Sequence, residues 1–406
     1  MSAGPRGGAT PTVAVVGASG SIGGELVRLL ATLSGSVPLR LRLGGRRAHA
    51  LLATAEALRG TTAGRALDVE TQVCDVWDDT SLATFCAGAD VVVSVAGPTY
   101  RIGGRIALAA VAAGAGYVDV GGDDPLLEAL ARHASGHGSP VVASAGALPG
   151  ASALLPRYLA ALLPQGDALT AHVGGMEACS TTVAEDMLLS LSRGGPDGTP
   201  FGTPLAAWVA GEVRQRALEV APAHHLPGAR GPVVGQPFLS AETARLAAAL
   251  GLRSASWWNL WTDGHAWSVL STLPVLLQDP TTSTRDIVGH LCRAAELDVL
   301  GRRPWYLMRF RLAHTGSGQE VVAELRTDSS SLVTALVATT AVRTVLTTPG
   351  LGTGFAADLL DPAEVVVDLE SHPRIDLQVT GTADALTRDP VTTSGVPHAA
   401  VEEGAL

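Results

Sequence analysis

A short apolar strand that runs into a spaced glycine turn and then an amphipathic helix admits few folds, and this chain has that combination near its start. Val13 to Val16 is apolar and largely β-branched, Gly17-Ala18-Ser19-Gly20-Ser21-Ile22-Gly23 follows, and Glu25 to Leu33 carries apolar residues at helical spacing. In a chain with 47 glycines the spacing alone would say little; its place between strand and helix gives it meaning. Gly17 permits the tight turn, Gly20 lets backbone approach a pyrophosphate, and Gly23 lets the helix pack on the strand. The helix start then offers free N–H groups and a positive dipole end to phosphates. Gly17, Ser19, Gly20, Ser21, Ile22 and Gly23 are therefore candidate dinucleotide ligands.

The pattern downstream repeats the alternation. Leu39 to Leu43, Val69 to Val73, Asp90 to Val95, Tyr117 to Val120 and Pro140 to Ala143 read as strands. Between them Arg47 to Leu58, Ser81 to Cys86, Ile106 to Ala113 and Leu126 to His133 read as helices. Strands separated by helices of this length predict an α/β fold with a doubly wound parallel Rossmann sheet. After Gly150 the rhythm changes to that of an inserted α+β domain. Ala168 to Gly174 is read as a strand, Val183 to Leu191 as a helix, and the Pro- and Gly-rich stretch 194–237 as long loop. Trp305 to Leu312 and Glu320 to Arg326 suggest a hairpin around Thr315 to Gly318, followed by an apolar helix from Leu332 to Leu346. The expected organisation is a dinucleotide-binding domain over 1–149, a substrate domain over 150–330, a returning C-terminal helix over 331–370 and a partly disordered tail over 371–406.

The end of the second strand selects the cofactor. Enzymes that use NAD commonly place an acid there to accept from the ribose hydroxyl. Here the chain reads Leu43-Gly44-Gly45-Arg46-Arg47, and either arginine can grip a 2′-phosphate, which favours NADP(H). Asp75 follows the third strand and is either an acceptor for the adenine amino group or a turn residue. Ala96 and Gly97 end the fourth strand, where backbone would pass under the nicotinamide ribose.

Composition narrows the classes. The 406 residues, 47% apolar and 16% charged, can fill two modest cores. A net charge of −10 argues against nucleic acid. The start, MSAGPRGGATPT, has no apolar core of a signal peptide and reads as a loose leader. Apolar stretches are interrupted well short of the roughly 20 residues of a membrane span, so no membrane role and a cytoplasmic setting are expected. Cys74, Cys86, Cys179 and Cys292 stand apart without metal spacing. All 28 basic residues are arginine, so a lysine Schiff base, a Walker lysine and the Tyr-x-x-x-Lys dyad are excluded.

The stretch Val92-Val-Ser-Val-Ala-Gly-Pro-Thr-Tyr-Arg-Ile-Gly103, continuing to Gly116-Tyr-Val-Asp-Val-Gly-Gly-Asp-Asp124, resembles the saccharopine dehydrogenase (reductase) family. Gly17-Ala-Ser-Gly20 is similar to its glycine loop, Gly45-Arg46 to the end of its second strand, and Thr348 to Pro362 to its C-terminal segment. The resemblance implies a Rossmann domain interrupted by a substrate domain, with hydride transfer from NAD(P)H to a C=N bond. Trans-acting enoyl reductases, which reduce carrier-bound C=C bonds, are among the relatives it implies. Gly146-Ala-Leu-Pro-Gly150 puts Leu148 where saccharopine reductases often carry Asp, which points away from saccharopine itself.

Reduction of such a bond needs an oriented hydride donor and a proton source. Tyr100, beyond the fourth strand, can donate a proton or polarise the acceptor, or simply pack. Arg101 can hold a substrate carboxylate or a phosphopantetheine phosphate, or lie at the surface. Asp123 and Asp124 follow the fifth strand; Asp123 can relay a proton, or both can cap a helix. Glu177, Cys179 and Ser180 stand where the second domain's first strand meets its helix; Glu177 and Ser180 are candidate substrate contacts, though a capping Ser and a buried Cys explain the segment too. Trp257, Trp258, Trp261 and Trp267 suit either an apolar substrate wall or core packing. His224-His225 lacks a third ligand, so no metal is expected. The reading is an NADPH-dependent reductase acting on an imine-like bond of a specialised metabolite. An enoyl reductase and a catalytically idle NADP(H)-binding sensor or partner protein are the alternatives, the substrate being a small molecule or carrier-bound and a homodimer left open.

Overall fold

The structure, a computed structural model, describes residues 10–133, 138–191, 201–276 and 282–382. The first part alternates strand and helix: β1 (Thr12–Val16), α1 (Ser21–Leu33), β2 (Arg40–Gly45), α2 (Ala48–Arg59), β3 (Val69–Val73), α3 (Asp79–Cys86), β4 (Val91–Ser94), α4 (Thr99–Ile102), α5 (Arg105–Ala112), β5 (Gly116–Asp119), α6 (Asp123–His133) and β6 (Val141–Ala143). The middle holds α7 (Ala151–Leu162), β7 (Ala168–Met176), α8 (Thr181–Leu191), β8 (Gly202–Pro204), β9 (Ala207–Val209), β10 (Glu212–Arg214), β11 (Ala221–His225), β12 (Pro232–Ser240), α9 (Ala241–Ala249), β13 (Ser254–Thr262), α10 (His265–Leu276), α11 (Thr284–Val299), β14 (Trp305–Ala313) and β15 (Glu320–Thr327). The chain then returns through α12 (Ser330–Thr347), β16 (Thr353–Phe355), α13 (Ala356–Leu359), α14 (Pro362–Glu370) and β17 (Asp376–Gly381).

Seven parallel strands form the first sheet in the order β16-β6-β5-β4-β1-β2-β3. Strand order reverses between β1 and β4, where Val16 pairs with Ser94 on one side and Gly44 on the other. Sheets of this kind bind ligands outside the carboxyl ends of the strands at such a reversal. Every residue of β1, β4, β5 and β6 is buried, as expected where helices cover both faces. The α/β Rossmann expectation holds.

The second sheet is mixed, in the order β10-β9-β13-β7-β14-β15-β17, with β12 also on β13 and β8 and β11 on β12. Its strands alternate: β7 and β13 bury every second residue over most of their length, because only one face meets the core. That face lies on a helical layer shared with the parallel sheet. Val13, Val93 and Val142 from one sheet and Val173, Met308 and Phe310 from the other belong to a single core with α1, α7 and α12. The opposite face of the parallel sheet packs Ala14, Val92, Tyr117 and Ala143 against α3, α5 and α6. By length and composition α12 could cross a membrane, with mean hydropathy 1.3 over 18 residues. It lies instead between the two sheets, with Leu332 through Ala338 buried without a break, as an all-round apolar helix in a protein core must be.

Two expectations are corrected. Where long loop was expected over 194–237, β8 to β12 form within the described part. Proline misled there: Pro204 ends β8, Pro232 opens β12, Pro237 ends the pairing of β12 with β13, and Pro222 lies at a register shift in β11. These are positions where a missing N–H costs no ladder bond. The expected tail from 371 contains β17, which pairs with β15 from Arg326–Asp376 to Val321–Gly381. The rest of that tail, from residue 383, lies outside the described residues. A chain stopped at Ile375 loses this strand and the 3.2 Å Arg326–Asp376 ion pair and leaves β15 as a bare edge. We expect its thermal unfolding midpoint to fall, by about 2–4 °C for each kcal/mol lost, as followed by circular dichroism; an unchanged midpoint would make β17 dispensable.

Candidate dinucleotide and substrate site

The glycine loop closes the carboxyl end of β1 and is tied to its neighbours by backbone. Gly17 and Ala18 donate their N–H groups to Gly44 O at 2.9 and 3.1 Å, and Gly20 N–H turns back to Gly17 O at 3.0 Å. Gly17 has φ +91° and its α-carbon abuts the Val95–Ala96 backbone, so a side chain there would meet the β4 loop at 3.0 Å. At Gly23 a β-carbon would collide with Gly17 O and Ala18. Gly20 is different: a β-carbon would meet only Gly17 O, at 3.3 Å, and otherwise open space. Gly20 caps α1 without a side-chain bond, so Ser21, Ile22 and Gly23 begin the helix with N–H groups that no side chain at the cap claims. An uncapped 13-residue helix facing open space over Gly20 fits a pyrophosphate.

At the end of β2 Gly44 is a steric requirement and Gly45 is not. A β-carbon on Gly44 would lie 2.5 Å from the Phe85 ring, and one on Gly45 would approach Leu51 at 3.4 Å and Ser19 Oγ at 3.7 Å. Ser19 thus borders the base of the Arg46–Arg47 turn. Both arginines are exposed, and neither pairs with another described residue. They fit the role of phosphate ligands. Asp75 Oδ1 accepts the Trp77 N–H at 3.0 Å and so closes its turn with the second oxygen left over.

The loop after β4 is held from the second domain. Asp186 of α8 accepts the N–H groups of Thr99 and Tyr100 at 3.1 and 3.4 Å. A β-carbon on Gly97 would run into Thr182 and lie 3.1 Å from Asp186 Oδ2, so Ala96-Gly97 and α8 are in direct contact. The Tyr100 ring packs on Phe201, with centroids 3.6 Å apart. Burial, and then Asp123, Asp186 and Glu242, raise its phenol above the usual tyrosine range.

Beyond β5 and β6 lies a cluster of carboxyl groups. Tyr117 OH donates to buried Asp119, whose other oxygen accepts Gly121 N–H at 2.9 Å. Burial pushes Asp119 up to about 6. Asp123 and Asp124 open α6, and Arg245 from α9 forks between them, at 2.6 Å to Asp123 Oδ1 and also onto Asp124. Its guanidinium stacks 4.0 Å from the Phe355 ring centroid. Glu242, one helical turn before Arg245, accepts from Gly150 N–H at 2.9 Å and from Ser152 Oγ. Burial, with Asp123 adding, pushes it up to about 7.

The structure thus brings together Tyr100, Asp123 and the Ala96–Gly97 loop, and disperses other candidates. Asp123 is ion-paired, so it is a poor free proton relay, and it stands in the first turn of α6 where an acid suits the dipole. Arg101 pairs with Glu185 at 2.5 Å through one guanidinium nitrogen, so it already has an acid partner. Glu177 accepts Ser330 N–H at 2.7 Å, so it is engaged at the start of α12. Ser180 accepts Val183 N–H at 3.3 Å as the cap of α8. Burial pushes Cys179 up to about 12. Trp257 packs on Phe310 in the core and Trp258 stacks on His172. His224 meets Pro222 O at 2.9 Å, and no group of three His, Cys, Asp or Glu among the described residues could hold a metal. Asp186, Phe201, Glu242 and Arg245 went unread in the sequence. They lie in no local motif and reach the site only through α8, β8 and α9.

The raised Glu242 has a consequence for stability. Its ordinary value is 4.5 and its folded value about 7, so the folded state binds the extra proton. That contribution is complete below the ordinary value and is lost as pH rises through the folded one. Asp119 acts with the same sign up to about 6, so the interval above that belongs to Glu242. Glu242→Gln can keep both hydrogen bonds without titrating. We expect urea unfolding of the parent to lose stability between about pH 6 and 7.5, at up to about 1.4 kcal/mol per pH unit, and the variant to lose much less. Parallel profiles would remove Glu242 as the titrating group.

Residues 13–137 match the family described as saccharopine dehydrogenase NADP binding domain. Among solved structures the chain is similar to apo saccharopine dehydrogenase (L-Glu forming) from Saccharomyces cerevisiae, at 15% identity over 92% of this chain and 100% of that one, with TM-score 0.65. Weaker likenesses are to a dehydrogenase from Chromobacterium violaceum (11% identity, 78% and 75% covered, TM-score 0.38) and to the Citrobacter sp. triphenylmethane reductase complexed with NADP(H) (21%, 32% and 47%, TM-score 0.25). No curated protein sequence matches. Residues 13–137 thus carry the pattern of the saccharopine dehydrogenase NADP binding domain family, and the chain as a whole has the fold of saccharopine dehydrogenase.

Proposed function

We propose that the protein is an NADPH-dependent reductase, acting in the cytoplasm on an imine-like C=N bond of a specialised metabolite. The observation that carries the cofactor half is the pair of exposed arginines at the end of β2, Arg46 and Arg47, which pair with no other described residue. Gly17 to Gly23 would hold the pyrophosphate, Arg46 and Arg47 the 2′-phosphate, Asp75 the adenine edge, and Ala96-Gly97 the nicotinamide ribose. When bound, NADPH supplies a hydride.

The surroundings of Tyr100 favour C=N over C=C. Asp123, Asp186 and Glu242 all act on its phenol, and the nearby guanidinium of Arg245 is already shared by two carboxylates. Such a field favours a cationic iminium over a neutral enone. It also disfavours a polycarboxylate, since Arg101 and Arg245 both have acid partners. Tyr100 keeps its proton in this field, so its hydroxyl acts by hydrogen bonding at the acceptor nitrogen more than by releasing the proton. The overall step adds hydride to carbon and leaves nitrogen with one proton, drawn from solvent or already present on the iminium.

Arg46→Ala with Arg47→Ala should weaken NADPH by about 1–3 kcal/mol per lost charge-assisted bond and leave NADH nearly unchanged. Fluorescence titration with each cofactor measures this, and equal losses would refute the 2′-phosphate assignment. For the chemistry, Tyr100→Phe keeps the ring against Phe201 and removes the hydroxyl. Single-turnover oxidation of bound NADPH on a cyclic imine substrate should slow about 10²-fold, with NADPH affinity unchanged. An unaltered rate would leave Tyr100 a packing residue.

A further inference from the structure

The loop that follows β4 leaves two backbone donors to be accounted for. α4 is a single turn, and Arg101 and Ile102 N–H groups already bond to Pro98 O at 3.2 and 3.1 Å. Thr99 and Tyr100 N–H groups are the remaining pair, as at any helix start. Both are taken by one carboxylate, Asp186, 86 and 87 residues further along the chain. The bare α-carbon of Gly97 lets Thr182 and Asp186 close directly on the loop, and the Arg101–Glu185 ion pair fastens the same two segments beside it. Two backbone donors and a tight glycine contact thus fix the loop from the second domain.

In a doubly wound sheet each half cradles one mononucleotide. β1 to β3 serve the adenosine phosphate end, and the half beginning at β4 serves the nicotinamide end. We infer that Asp186 is a positioning residue that holds Ala96 to Tyr100 in the shape that receives the nicotinamide half of NADP(H), and that it does so from the substrate domain. Among the described residues, Asp186 makes no hydrogen bond to the glycine loop or the Arg46–Arg47 turn, which would hold the other half. The inference rests on the NADP(H) reading above. It makes a division that the reading alone does not: one side chain of the second domain governs half of the dinucleotide.

The test uses the full chain with Asp186→Ala and Asp186→Asn, titrated with NADPH by fluorescence and with 2′,5′-ADP, which lacks the nicotinamide half, by calorimetry. Asp186→Ala should weaken NADPH about tenfold, the loss of one charge-assisted bond, and leave 2′,5′-ADP within about twofold of the parent. Asp186→Asn retains one acceptor oxygen and should recover part of the NADPH affinity. Bound NADPH in the Ala variant should fluoresce more like the free cofactor, a change that general destabilisation would not produce. Equal losses for both ligands, or no loss for either, overturn the assignment. If Asp186→Ala does not fold, Asp186→Asn decides by the same comparison: weaker NADPH with unchanged 2′,5′-ADP supports it, and unchanged affinity for both overturns it. A parent chain that binds neither ligand removes the NADP(H) reading and this inference together.

Discussion

The structure depends on one layer of helices that has no wet side. α12 is buried on all sides from Leu332 to Ala338, and α7 buries Ala151 through Pro156 without a break. α12 lies against β4, β5 and β6 of the parallel sheet, α7 lies against β14 and β15 of the mixed sheet, and the two helices meet in one core. An apolar residue buried here is worth about 1.5–3 kcal/mol, and α12 contributes many such residues to the core the two sheets share. The two sheets therefore do not have separate cores, and the carboxyl edge of one is fixed against α8 and α9 of the other.

That shared layer explains why polar groups at the edge are satisfied across the two parts of the chain. Asp186 bonds Thr99 and Tyr100, Glu242 bonds Gly150, and Arg245 bonds Asp123 and Asp124. A buried donor left unmade costs about 1–3 kcal/mol, and these partners are at hand only because the layer holds both sheets in place. The outcome is an edge rich in carboxyl groups with few unpaired cations. Some of those groups are buried deeply enough to hold a proton near neutrality, and the Tyr100 phenol is held in its neutral form among them.

The dinucleotide site shows a different logic, because its parts are consecutive in sequence. Gly17 allows close approach to the β4 loop, Gly20 leaves an open face, and Gly23 lets the helix contact the turn. Gly44 meets one more steric demand, against Phe85. All of these demands follow from backbone geometry at fixed spacing, so residue order alone reveals them.

What the sequence determined by itself was everything set by local period and by backbone. The unbroken apolar runs of β1, β4 and β6, the glycine loop and the acid-free end of β2 are readable because their physics acts within a few residues. The strands over 202–237 were hidden because proline at strand ends resembles proline in loops until the pairing partner is known. β17 was hidden for a related reason: a half-exposed edge strand of alternating polarity has little apolar signal. The fates of Arg101, Asp123 and Glu177 were decided only by tertiary structure. Whether a charged side chain is free for a ligand depends on what stands opposite it, and Glu185, Arg245 and the start of α12 are 84, 122 and 153 residues away from Arg101, Asp123 and Glu177. No local pattern carries that information; it enters when two sheets close on one layer of helices.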